Sequence, residues 1–99
     1  MFVRIIAKKK LKEFWLKHPD SEQPLRAWYK EVEAANWVKP NDITKYYRTA
    51  SILSSNRVVF NIKGNDYRLI STINYDYKVV YIRFIGTHKE YDRINAEDI

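Results

Sequence analysis

The sequence predicts an α+β fold: a mostly antiparallel four-stranded sheet with two to three helices packed on one face. Three observations carry this. Two apolar stripes at helical spacing occupy the first third of the chain, and runs of β-branched and aromatic residues fill the stretch after Arg57. The third is length: 99 residues leave no room for two good cores, so residues 1–99 form a single domain.

Phe2 to Ala7 reads as a short leading strand, followed by the basic run Lys8-Lys9-Lys10. Leu11, Phe14, Trp15 and His18 then fall at i, i+3, i+4 and i+7 on one helical face, and Pro19 stops the helix. Asp20 or Ser21 offers an N-cap for a second helix, with Pro24 tolerated in its first turn. Leu25, Trp28, Tyr29, Val32 and Ala35 make the second stripe. "HPDS" therefore joins an αα-hairpin. After "NWVKPND", Asn41 or Asp42 can cap a short third helix running to Tyr47, and residues 48–56 read as a surface loop. "RVVFNIK", "YRLISTIN" and "KVVYIRFIG" are strands, and "KGND" and "NYDY" between them are turn chemistry. The helices cannot bury their stripes alone, so they pack on the sheet. The leading strand joins that sheet beside the last strand or a middle one.

Composition narrows the chemistry. The absence of cysteine removes disulfides, thiolate catalysis and Cys-ligated zinc, and fits a reducing, cytoplasmic setting. Two histidines, His18 and His88, make a zinc site a poor expectation, and no other metal or cofactor is expected. The only glycines are Gly64 and Gly86, so there is no glycine-rich phosphate loop. No apolar stretch has the length of a membrane span. A net charge of +6 favours an acidic partner, such as nucleic acid, an acidic protein or an anionic surface.

Strand alternation selects the residues that can carry chemistry. Tyr67, Leu69, Ser71 and Ile73 share one face; Arg68, Ile70, Thr72 and Asn74 share the other. On the last strand Val80, Ile82 and Phe84 are expected to face the helices, and Arg83 the opposite side. Placed on one open face, Arg68 and Arg83 present two guanidiniums near the strand that delivers His88, with Lys63 near the turn edge. Such a set suits a phosphodiester, because guanidinium clamps phosphate oxygens with a planar fork. Metal-free RNA cleavage needs a base for the 2′-OH, cations for the phosphorane and an acid for the 5′-oxygen. Histidine is the side chain suited to both taking and giving a proton, so His88 can serve as acid or base. Tyr91 can stack on a base or shuttle a proton, and Asp92 can orient His88 or act directly. Each residue also has a plainer reading: solvated arginines, an exposed histidine, a tyrosine closing the sheet's end and an Asp92–Arg93 surface pair. Lys8, Lys9, Lys10 and Lys12 read as a solvated helix start or as a track for RNA.

Three blocks, "KKKLKEFWLKHPDSEQPLRAWYKE", "NRVVFNIKGNDYRLI" and "VYIRFIGTHKEYDRI", resemble the HigB family of type II toxins within the RelE-like superfamily, over nearly the whole chain. The resemblance implies a compact RelE-like domain and an mRNA endonuclease that cuts messages in the ribosomal A site. It implies neutralisation by a cognate HigA-like antitoxin with a helix-turn-helix domain, through which alone the toxin would meet operator DNA. The positions that fit the superfamily's catalytic residues are Lys63, Arg68, Arg83, His88, Tyr91 and Asp92. Two readings compete with a ribosome-dependent ribonuclease. One is a non-catalytic basic RNA- or DNA-binding domain, and the other is a module that binds an acidic protein.

Overall fold

The computed structural model describes residues 3–99, so Phe2, placed by the sequence at the start of the first strand, lies outside the described residues. Strand β1, Arg4–Ile6, ends at Ala7. The left-handed backbone of Ala7 (φ 76°) turns the chain into helix α1, Lys8–Lys17. Leu11, Phe14 and Trp15 are its buried stripe, and His18, just past its end, stacks on Phe14 at a centroid distance of 4.4 Å. A 3-10 turn over Pro19–Ser21 leads into helix α2, Glu22–Glu33.

The expected side-chain cap of α2 does not form. Ser21 already has helical backbone, and its hydroxyl donates to the His18 carbonyl at 2.7 Å. The Asp20 carboxylate is occupied elsewhere. Helix α3 spans Pro40–Tyr46. Asp42 starts it from the third helical position, reaching back to accept from the Val38 N–H at 2.9 Å and the Lys39 N–H at 3.3 Å. Leu11, Leu25, Trp28, Val32, Trp37 and Ile43 bury these helices against Val58, Phe60, Leu69, Ile73, Val80 and Ile82 of the sheet. No helix among the described residues is long and apolar enough to cross a membrane.

The sheet has five strands and is mixed, which corrects the expectation of four. The added strands are β2 (Ser51–Ile52), β3 (Arg57–Ile62), β4 (Tyr67–Asn74) and β5 (Val79–Thr87), in spatial order β1-β5-β4-β3-β2. Strand β1 lies beside the last strand and runs parallel to it, with Ile5 opposite Val80; the other pairs are antiparallel. The fifth strand is β2, inside the segment read as a loop. Its two exposed residues pair with Val58 and Val59. A two-residue edge strand carries no period for a sequence to display.

Two features of the far face also differ from the sequence reading. Ile70 pairs with Phe84 but Ser71 pairs with Ile82, so Arg83 is the extra residue of a β-bulge. The bulge reverses the alternation: Ile85 joins the helix-side core, and Phe84 lies on the opposite side with Ile70. That side is also only partly open. Val59 and Ile70 are buried there, apart from the helix-side core. The C-terminal stretch is tied across this face, with Arg57 donating to the Ile99 main-chain oxygen and Ser54 to Glu97.

Candidate active site

The last strand delivers its polar end through a capping box legible in "THKE". Thr87 has extended backbone, and its Oγ1 accepts from the Glu90 N–H at 3.2 Å. Glu90 Oε1 accepts from the Thr87 N–H at 2.8 Å in return. This reciprocal pair starts helix α4, His88–Asp92. Helical spacing then puts His88, Tyr91 and Asp92 at i, i+3 and i+4, on one face. Gly86 is needed here for space rather than for turning: a Cβ would stand 2.5 Å from the Phe84 ring and 3.1 Å from the Glu90 carboxylate.

His88 Nδ1 lies 3.1 Å from Asp92 Oδ2, with both side chains substantially exposed. An ionised carboxylate only accepts, so the tautomer that satisfies this contact has the proton on Nδ1 and Nε2 as the ring's acceptor. Protonated at both nitrogens, the same ring is a donor held by the same carboxylate. The arrangement leaves Nε2 as the ring nitrogen without a side-chain partner at Asp92. The Tyr91 ring faces the Arg68 guanidinium, whose carbon is 5.7 Å from the ring centroid. Arg68 shares a rung of the sheet with Asn61 and Gly86, and its Nη1 donates to the Asn65 carbonyl at 3.0 Å. His88, Tyr91, Asp92 and Arg68 thus form one cluster where β4 starts and β5 ends.

Lys63 lies beside this cluster, on the turn between β3 and β4, and is already paired. Its Nζ is 2.8 Å from Asp20 Oδ2 and 3.4 Å from Asp66 Oδ2. The hydrogen bond to Asp20 raises the lysine's pKa above its ordinary value. Asp20 shifts the other way: the Lys63 bond, then the Tyr67 hydroxyl, hold its carboxyl below the usual carboxylate value.

Arg83 stands apart, at the bulge. Its Nε donates to Thr72 Oγ1 at 3.0 Å and its guanidinium lies 4.4 Å from the Tyr81 ring centroid. It lines a groove of about 310 Å³ with Lys10, Lys17, His18 and Glu90. The α1 lysines divide rather than form one track. Lys10 faces that groove, whereas Lys8 sits 4.4 Å from the Tyr29 ring and lines a second groove between α1 and α2. Lys9 and Lys12 are exposed between them.

Sequence reasoning missed Asp20, Asn65 and Asp66. Asn65 acts here through its main-chain carbonyl, which any residue type supplies, and Asp66 through both its carbonyl and the carboxylate beside Lys63. Asp20 reaches Lys63 from 43 positions away in the chain, a separation with no local signature. Among the described residues, no three His, Asp or Glu side chains converge as metal ligands.

A family model described as the HigB toxin, a RelE-like toxic component of a toxin–antitoxin system, matches residues 21–94. The chain is 27% identical over 96 residues to the mRNA interferase toxin HigB of Escherichia coli K12, covering 95% of this chain and 92% of that one. It is similarly 27% identical, at the same coverage, to the mRNA interferase HigB of Shigella flexneri. The mRNA interferase HigB of Escherichia coli O6:H1 is 26% identical over 94 residues, 93% of this chain and 91% of that protein.

Proposed function

Because this chain belongs to the HigB family of RelE-like toxins, we propose that it is the toxin of a toxin–antitoxin pair and cleaves mRNA at the cluster of His88, Tyr91, Asp92 and Arg68. The observation that carries the site assignment is the His88–Asp92 pair beside Tyr91 and Arg68. An imidazole oriented by a carboxylate and one fixed cation stand together there.

The chemistry is in-line attack by the ribose 2′-OH on the adjacent phosphorus. The P–O5′ bond breaks, the 2′-oxygen's proton passes to a base, and the 5′-oxygen receives one from an acid. His88 Nε2, poised by Asp92, takes one of these roles. Arg68 faces the charge that builds on the phosphorane oxygens. Tyr91, with one face toward Arg68, offers its ring to a base and its hydroxyl to the phosphate. Arg68 supplies the positive charge at the phosphate, so the reading needs no metal.

The message is met in the ribosomal A site, in the cytoplasm. The partner is a HigA-like antitoxin carrying a helix-turn-helix domain, and operator DNA is reached only through it. The test maps message ends after induced expression, with and without translation, in wild type and His88→Gln. Translation-dependent new ends that vanish in the folded mutant support the reading. Salt-dependent RNA binding without cleavage would return the chain to a non-catalytic binding domain.

A further inference from the structure

The tip of the helical hairpin is wired to the candidate site through residues that no catalytic step uses. Asp20 lies in the 3-10 turn between α1 and α2. Its carboxylate binds Lys63 Nζ through Oδ2 and accepts from the Tyr67 hydroxyl through Oδ1. Lys63 has left-handed backbone (φ 53°) at the start of the β3–β4 turn, and its Nζ also reaches Asp66 across that turn. The turn in turn holds two members of the cluster by its carbonyls. Asn65 C=O accepts from Arg68 Nη1 at 3.0 Å, and Asp66 C=O accepts from the His88 N–H at 3.2 Å. Tyr67 is the rung partner of Thr87, the residue that caps α4.

We infer that Asp20 and Lys63 are positioning residues: together they clamp the β3–β4 turn, whose carbonyls set Arg68 and His88 for cleavage. The inference rests on the proposed cleavage site and changes the role of Lys63 within it. An ammonium shared by two carboxylates is neutralised where it stands, so it contributes little positive charge to a substrate phosphate. What it fixes is the path of four residues. The left-handed Lys63 has Gly64, also left-handed, as its neighbour, so the turn is tight and a side-chain tether at its first residue governs the carbonyls at its end. A displacement of about 1 Å at a reacting group costs on the order of a hundredfold in rate.

The experiment uses the full chain and the variants Asp20→Asn, Lys63→Met, the double variant and Lys63→Arg. Two quantities are read: single-turnover cleavage on programmed ribosomes, and amide exchange and ring titration of His88 by NMR in the free protein. If the pair acts as a clamp, Asp20→Asn and Lys63→Met each lower cleavage about a hundredfold with ribosome affinity unchanged. The double variant is then no worse than either, Lys63→Arg recovers most of the rate, and the His88 amide loses protection in both single variants. If Lys63 instead acts on the phosphate, Asp20→Asn frees it, and cleavage at or above the wild-type rate overturns the inference. A wild-type chain that cleaves nothing overturns the cleavage reading alone, and the NMR arm still decides the clamp. His88 protection and titration unchanged in folded Asp20→Asn or Lys63→Met would refute it.

Discussion

Arg68 and Arg83 enter the sequence as a matched pair, yet the bulge gives them different neighbours. Arg68 is fixed by the Asn65 carbonyl and faces the Tyr91 ring, on the helix that carries His88. Arg83 is held by Thr72 and Tyr81 at the edge of a groove where Lys10 and Lys17 face Glu13 and Glu90. Their substitutions should therefore separate. Arg68→Ala is expected to lower single-turnover cleavage about a hundredfold to a thousandfold, the usual cost of losing one preorganised donor to transition-state charge. Arg83→Ala is expected to weaken RNA affinity and reduce its salt slope by about one, as loss of a phosphate contact does. Equal effects of both on the chemical step would place Arg83 in the cluster after all.

Helix α4 is five residues long and has no buried residue, so packing does little to hold it. Its start depends on the Thr87–Glu90 box, and its face carries the three polar groups of the candidate site. Thr87→Ala should cost about 0.5–2 kcal/mol, the range for loss of a side-chain cap. The expected signature is local: faster exchange of the Glu90 amide and a loosened His88–Asp92 pair, with the sheet's amides still protected. Uniform loss of protection would mean that α4 and the sheet unfold as one unit. The same segment shows why "IGTH" needs its glycine. Any side chain at residue 86 meets the Phe84 ring, which the bulge has turned to that face.

Across the whole molecule, stability is concentrated between the helices and the sheet. Trp28 is 2% exposed and meets Phe60 edge-on at 5.4 Å, at the centre of that interface. Trp28→Ala should destabilise the chain by about 3–5 kcal/mol, read as a shifted denaturation midpoint. An unchanged midpoint would exclude a core role for this ring. The Asp20 network adds a pH dependence. Its carboxyl is held below the ordinary 3.8 by Lys63 and Tyr67, so ionised Asp20 favours the folded chain above that value. That contribution fades as pH falls through the lowered value. Lys63 and Tyr67 are shifted upward, so theirs persists below 10.5 and 10.0 and fades as pH rises through the raised values. In urea titrations between about pH 2 and 6, Asp20→Asn should lose less stability on acidification than wild type. Parallel acid limbs would show that the Asp20 pairing, exposed as it is, contributes nothing to folding.

The sequence by itself determined the α+β class, both helical stripes, the third helix and the three-stranded meander. Each of these rests on a local period or on a turn residue with a fixed backbone preference. It also named His88, Tyr91 and Asp92 as candidates, and the short helix that puts them on one face came from the structure. Only the tertiary structure decided the rest. The parallel pairing of β1 with β5, the two-residue strand β2 and the tail across the far face join distant segments and leave no period to read. The bulge at Arg83 arises from a mismatch between two strands, so neither strand's alternation contains it. Lys63 was legible as a cation near the site, but its engagement by Asp20 and Asp66 was not. The charge of a residue is written in the chain, whereas the partner that neutralises it is set by how the helical hairpin meets the sheet.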